Sequence, residues 1–346
     1  MFKGETESRS AFVSAEPSGS AADGQDKQAA GSVSRARTPL QGHIGFIGLG
    51  HMGTAIAANL AAAGREVTAY VRRAEQMEKL AALGLKPTTD ITEVYDREFV
   101  ITMLPDDAAV REVVFGRPDL GADGLARRLI PGAIHLSMST ISTAASSELA
   151  SEHARYGQGY VAAPVFGNPD AAKARQLFVI AAGAPSDVER CQPIFDALGQ
   201  QTFRVGSAPA TANLIKLAGN AMSAATLEIL GEVLALARKC GLDPQEFLAI
   251  LTGTMFGSRL HRIYGDKIAG QQYAVGGFVF PLALKDIRLA LNEAESAGVP
   301  MPSVSVVRDR LITGIARGYS ELDWSALGLL AAEEAGLTFE PADAHS

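Results

Sequence analysis

Residues 44–60 read IGFIGLGHMGTAIAANL, and the glycines at 48, 50 and 53 keep a GxGxxG spacing. Alone that spacing is weak, because a chain with 35 glycines produces it by chance. Its setting decides the fold. An apolar run, Ile44 to Ile47, precedes the turn, a helix of small residues is expected from Thr54 to Ala63, and a second β-branched run arrives at Val67 to Val71. In such a unit the first glycine permits the turn, the second lets backbone amides approach a pyrophosphate, and the third allows close packing of helix on strand. Gly48, Leu49, Gly50, His51, Met52 and Gly53 are therefore expected to hold a dinucleotide, with the His51 side chain facing outward. Residues Ile44 to Gly64 carry no Asp, Glu, Lys or Arg, and a hydropathy window alone would flag them as a membrane span. The glycines, His51, Thr54 and Asn59 suit a strand, turn and helix better.

The end of the second strand bears on which nicotinamide cofactor is used. An acidic residue there would receive the ribose hydroxyls of NAD. This chain instead reads Tyr70, Val71, Arg72, Arg73, and two guanidiniums suit the 2′-phosphate of NADPH, because Arg binds it bidentately. NADPH is the expected cofactor, with NAD possible.

Strand-like runs continue at Phe99 to Met103, Ile134 to Leu136, Gly159 to Ala162, Leu177 to Ala182 and Thr202 to Val205. Helical stretches lie between them at Ala74 to Leu83, Asp107 to Val114, Thr143 to Tyr156 and Asp187 to Leu198, the last with Ser186 and Glu189 as a capping box. This alternation predicts a doubly wound α/β Rossmann domain with a mostly parallel sheet over residues 42–206. After Gly206 the strand signal stops. Residues 207–340 read as an all-helical domain for substrate binding and dimerisation, opened by a long apolar stretch from Ala208 to Gly241 that would join the domains. As a helix of about 30 residues it would reach roughly 45 Å. Residues 1–41, rich in Ser, Ala, Gly and Gln and without apolar periodicity, read as a disordered tail. Their acidic residues argue against a transit peptide.

The bulk numbers exclude several classes. The 346 residues carry 31 basic and 38 acidic side chains, a net charge of −7, with no basic stripe interleaved with aromatics, so nucleic acid is not an expected partner. Two distant cysteines, Cys191 and Cys240, argue against a disulfide framework or zinc site and suit a cytoplasmic, reducing compartment. The six histidines show no metal-ligand spacing, and no metal is expected. No GxSxG elbow supports a serine hydrolase.

Several motifs then fall in one order: the glycine turn, MLPDD at Met103 to Asp107, SMSTIS at Ser137 to Ser142, APVFG at Ala163 to Gly167, IKLAGN at Ile215 to Asn220 and LKDIRLA at Leu284 to Ala290. Together, over roughly His43 to Leu337, they resemble the β-hydroxyacid dehydrogenase family, the relatives of 3-hydroxyisobutyrate dehydrogenase and of glyoxylate or succinic semialdehyde reductases. The resemblance implies that Lys216 is the catalytic lysine and Asn220 its partner. Residues four apart on a helix share a face, so both can enter one cleft. A protonated lysine can donate a proton as a carbonyl oxygen gains charge, and its ammonium stabilises the developing alkoxide. The resemblance further implies that Met103, Leu104, Pro105 and Lys285 lie beside the cofactor, and that Ser139 and Thr140 lie where substrate meets nicotinamide.

One departure stands out. The family commonly reads APVSGG where this chain has Ala163, Pro164, Val165, Phe166, Gly167 and Asn168. Phe166, Gly167 and Asn168 are expected at the substrate, with Phe166 either offering apolar surface or turning away. The predicted activity is hydride transfer between NADPH and a small carbonyl or β-hydroxyacid. An imine reductase of the same fold is an alternative, as is a catalytically idle NADPH-binding sensor or scaffold; Lys216, Asn220 and Lys285 argue against the latter. Leu227, Ile229, Leu230, Val233, Leu234 and Leu236 are apolar on more than one side of the long helix, which predicts a homodimer or homotetramer through the helical domain.

Overall fold

Strand β1 (His43–Ile47) lies at the centre of a six-stranded sheet, because residues 44–47 are buried on both faces. Those faces are covered by helices, which is the condition for a parallel sheet. A computed structural model of the chain describes residues 42–117, 122–273 and 277–338; the expected tail at residues 1–41 lies outside them. From β1 the chain passes through α1 (His51–Ala62) to β2 (Glu66–Tyr70), then α2 (Met77–Ala81) and β3 (Lys86–Thr88). It next crosses to β4 (Phe99–Thr102) and α3 (Asp107–Phe115). A short antiparallel pair, β5 (Gly116–Arg117) and β6 (Ala122–Asp123), and α4 (Leu125–Arg128) precede β7 (Ile134–Ser137), α5 (Thr143–Arg155) and β8 (Gly159–Ala162). The strand order is β3-β2-β1-β4-β7-β8, and every pairing is parallel. The order reverses between β1 and β4, so a crevice opens at their carboxyl ends.

Two of the expected strands do not join this sheet. β9 (Val165–Phe166), β10 (Leu177–Ala181) and β11 (Gly199–Arg204) form a separate three-stranded sheet, β9 antiparallel and β11 parallel to β10. It continues the edge of β8 only through paired hydrogen bonds between Ala162 and Ala182. Between β9 and β10 lies α6 (Pro169–Lys173), and between β10 and β11 lies α7 (Pro185–Leu198). The capping box expected at Ser186 is absent. Pro185 takes the first helical position and Ala184 is the N-cap, because proline presets the helical φ and needs no donor there.

The remainder is helical: α8 (Pro209–Lys239), α9 (Pro244–Thr252), α10 (Arg259–Ala269), α11 (Phe280–Ser296), α12 (Pro302–Ala316) and α13 (Leu327–Glu334). Asp243 caps α9 by accepting from Glu246 N at 2.8 Å, as its Asp-Pro start predicts. Leu217, Leu227, Leu230 and Leu234 of α8 belong to a core with Phe280, Ile287, Leu311, Trp324 and Leu330. That core shares no residue with the two cores flanking the parallel sheet. By length and composition α8 could cross a membrane, but its apolar residues are the centre of this helical core.

A chain of buried hydrogen bonds runs under the sheet. Gln158 Nε2 donates to Leu129 O (2.5 Å) and Ala126 O (2.9 Å), so its Oε1 must accept from His153 Nδ1 at 2.6 Å. His153 Nε2 then accepts from His135 Nδ1 (2.8 Å), and His135 Nε2 accepts from Thr102 Oγ1 (2.9 Å). Each imidazole is thereby held neutral in one tautomer. Burial lowers the pKa of both, a charged His153 lowers that of His135 further, and Gln158 and Glu152 partly offset the effect at His153. A folded-state pKa below the unfolded value means the unfolded chain binds more protons, so stability is full above about pH 6.5 and lost as pH falls. Thermal unfolding is expected to show a lower midpoint at about pH 5.5 than at about pH 7.5, and the double variant His135→Leu, His153→Leu should flatten that dependence. An equal pH slope in wild type and variant would contradict this account.

Candidate active site

The cofactor crevice is built by β1, β4 and the start of α1. Gly48 has φ +102°, and a Cβ there would collide with Met103 O, so the turn admits no side chain. A Cβ on Gly53 would overlap Gly48 O. Gly50 differs, because nothing lies within 4 Å of where its Cβ would stand. The fold leaves that space open, and a pyrophosphate approaching the backbone would need it. Helix α1 begins at His51, three residues before the expected Thr54, with Gly50 as N-cap and no side-chain cap. Its first amides therefore have no helical acceptors and face the crevice at the positive end of the helix dipole. His51 is exposed, while Leu49 and Met52 are half-buried. Arg72 and Arg73, just past β2, are exposed, and their side chains make no hydrogen bond or ion pair among the described residues. The residues present thus fit a nicotinamide dinucleotide.

Met103 extends β4 by donating to Ile47 O at 2.9 Å, and Leu104 N donates to Ser139 Oγ at 2.8 Å. Pro105 is exposed at the rim. Asp107 and Ser142 join the same two loops: Ser142 Oγ donates to Asp107 Oδ2 (2.5 Å) and Ser142 N to Asp107 Oδ1 (2.9 Å). Ser142 also caps α5.

Lys216 and Asn220 stand one turn apart on α8 and meet, with Lys216 Nζ donating to Asn220 Oδ1 at 2.9 Å. Asn220 Nδ2 donates to Asp286 Oδ2 of α11 at 2.5 Å, which fixes the orientation of the amide. Lys285 Nζ pairs with Asp286 Oδ1 at 2.6 Å and donates to Thr140 O at 2.5 Å. A continuous string thus runs from Lys216 through Asn220, Asp286 and Lys285 to the loop after β7. Sequence reasoning assigned no task to Asp286; its signal was an acid about two turns into α11 yet only 2% exposed, visible only in three dimensions. Desolvation lowers the Lys216 pKa to about 8, assisted by nearby Lys285 and opposed by Asp286.

The substrate-side residues separate into groups. The Phe166 ring lies 4.6 Å from Lys216 Nζ and touches α8 at Gly219. Gly167 is exposed with φ +138°. Asn168 is engaged elsewhere, its Oδ1 accepting from Ala171 N at 2.8 Å as the cap of α6. Ser139 is fully buried, and its hydroxyl accepts from Leu104 N and donates to Thr102 O at 3.3 Å. It orders the loop that follows β4. Among the described residues no three of His, Cys, Asp or Glu converge to hold a metal.

A glycine turn that leaves room for a dinucleotide, together with a desolvated lysine on a helical layer, fits a nicotinamide-dependent oxidoreductase. Comparison with known proteins agrees. The NAD binding domain of 6-phosphogluconate dehydrogenase matches residues 43–206, and the NAD-binding domain of NADP-dependent 3-hydroxyisobutyrate dehydrogenase matches residues 210–330. The chain is 39% identical to an uncharacterised oxidoreductase, YfjR, of Bacillus subtilis, over 82% of this chain and 98% of that protein. It is 32% identical to the 2-hydroxy-3-oxopropionate reductase of Escherichia coli, over 82% and 95%. A solved structure of the Mycobacterium tuberculosis 3-hydroxyisobutyrate dehydrogenase with L-serine is 26% identical and superposes with a TM-score of 0.72, covering 84% of this chain and 98% of that one. The chain belongs to the β-hydroxyacid dehydrogenase family and is an NAD(P)-dependent oxidoreductase acting on CH–OH groups.

Proposed function

We propose that the protein is an NADPH-preferring reductase of small carbonyl compounds, or the corresponding β-hydroxyacid dehydrogenase, with Lys216 as general acid and base. The observation that carries this reading is the string Lys216–Asn220–Asp286, which aims a desolvated ammonium from α8 and anchors it on α11. Residues 42–206 serve as the cofactor domain and residues 207–340 as the substrate and dimerisation domain. When bound, the nicotinamide supplies or accepts the hydride. Lys216 holds the carbonyl oxygen and gives it a proton as hydride reaches the carbon; in the reverse direction neutral Lys216 takes the hydroxyl proton. Asn220 directs the ammonium, and Asp286 keeps the Asn220 amide from rotating. Lys285 holds the Thr140 carbonyl and so fixes the loop between substrate and cofactor. Arg72 and Arg73 receive the 2′-phosphate. Two free thiols, Cys191 buried and Cys240 exposed, suit a cytoplasmic setting.

The outer face of α8 supports a homo-oligomer. Met222 (73% exposed), Ile229 (51%) and Leu236 (62%) stand seven residues apart on one stripe, while Leu227, Leu230 and Leu234 are buried on the other side. A second copy of the helical domain would cover that stripe.

Lys216→Ala should retain NADPH binding and lose about 100-fold or more of kcat, and the wild-type reductive rate should fall as pH rises through about 8 while the oxidative rate rises. Wild-type-like rates on glyoxylate, semialdehydes and cyclic imines in that variant would sink the assignment. The double variant Arg72→Ala, Arg73→Ala should raise KM for NADPH about tenfold and leave NADH little changed; an equal effect on both would contradict the cofactor choice. Sedimentation at micromolar concentration should give a dimer or larger, and Ile229→Lys should dissociate it. A monomeric wild type would refute the interface.

A further inference from the structure

We propose that Phe166 is the specificity-determining wall of the carbonyl site, and that it selects carbonyl compounds bearing a hydrocarbon or aryl substituent over those bearing a carboxylate. The inference rests on Lys216 being the proton donor, and it narrows the substrate class that this donor serves.

The ring is placed by three constraints. Phe166 pairs in β9 with Phe178 of β10, which fixes its backbone. Its ring packs against the core that includes Ile180 and Ala212. On its far side it abuts α8 at Gly219, where a Cβ would overlap ring atoms Cζ and Cε1. Gly219 sits one residue before Asn220, so the glycine that admits the ring lies inside the catalytic turn of the helix. The ring therefore covers one side of the Lys216 ammonium, at 4.6 Å, while Asn220 Oδ1 takes another. A substrate oxygen reaching Lys216 must bring its carbon chain past this ring.

Several of the polar atoms near that path are already committed. The Ser139 hydroxyl is bonded to Leu104 N and Thr102 O, and Asn168 Oδ1 caps α6. Lys285 is neutralised by Asp286 and bound to Thr140 O. A carboxylate pressed against the ring would lose hydration on that side and gain no partner from the ring, which is costly for a charged group. An apolar group in the same place removes both its own surface and the ring from water. The ring also helps desolvate Lys216, whose pKa is otherwise pulled in opposite directions by Asp286 and Lys285 of α11.

The test compares substrates of one chain length that differ in the carboxylate. Butanal and succinic semialdehyde, with 3-phenylpropanal as an aryl probe, are reduced with NADPH by wild type, Phe166→Ser, Phe166→Leu and Gly219→Ala. Wild type is expected to favour butanal and 3-phenylpropanal by about tenfold or more in kcat/KM. Phe166→Leu should keep the sign of that preference, and Phe166→Ser should lower or reverse it by about tenfold. Gly219→Ala, which displaces the ring without altering it, should lower the preference as well. In Phe166→Ser the alkaline limb of the reductive pH profile should move upward, toward an ordinary lysine, a change that mere loosening of the fold would not produce. A wild type that prefers succinic semialdehyde, or ratios and pH limbs unchanged in Phe166→Ser, would overturn the proposal. Failure of the wild type to reduce any of the three while binding NADPH would instead overturn the reductase reading on which it rests.

Discussion

The Asn220 amide holds the site together. One end accepts from an ammonium and the other donates to a carboxylate, so it links two charges that would otherwise sit apart in a poorly solvated cleft. An amide can do this in only one orientation, because an ammonium only donates and an ionised carboxylate only accepts. Its burial strengthens both bonds and makes the loss of either expensive. Asp286 Oδ1 has Lys285 close by as an ion pair, so the carboxylate stays balanced although it is almost wholly out of water.

This string also explains the layout of the helical layer. Lys216 and Asn220 must share one face of α8, and Asp286 must reach that face from α11, so the two helices have to pack side by side at the cleft. The same face cannot also serve the hydrophobic core. Leu217 and Ala221 next to the pair turn into the core, and the buried leucines at 227, 230 and 234 carry the packing farther along the helix. The outer positions at 222, 229 and 236 are left uncovered, because one helix has more circumference than one chain's neighbours can shield.

Much of this was legible in the sequence because it depends on local spacing. The glycine turn, the strand runs of the parallel sheet, the Asp-Pro start of α9 and the i,i+4 relation of Lys216 to Asn220 are all set by residues close together in the chain. What was hidden depends on contacts between distant residues. The run Leu177 to Ala181 is equally apolar whether it enters the main sheet or begins a second one, so periodicity could not separate the two. The three-residue β3 carries Pro87 and shows no strand signal, yet it occupies a sheet edge where a missing donor costs nothing. Ser139 and Asn168 are expected at the substrate by position. The Ser139 hydroxyl also holds Leu104 N and Asn168 Oδ1 also caps α6, bonds that no reading of the motif alone could reveal.

Within the glycine turn, residue type divides according to what requires it. Gly48 and Gly53 are dictated by the chain's own backbone, because Met103 O and Gly48 O fill the space where a side chain would go. Gly50 is dictated by nothing in the fold, and neither are the two uncommitted arginines beyond β2. A residue whose identity the fold does not require, at a place where the fold leaves room, points outward to a ligand. Lys216 satisfies the same criterion more strongly: burying an ammonium lowers its pKa and opposes folding, so the fold alone gives no reason for a lysine there. Gly219 is required in turn by Phe166: its missing side chain makes room for a ring that stands over the Lys216 ammonium, so the position of the ring and the environment of the charge are linked.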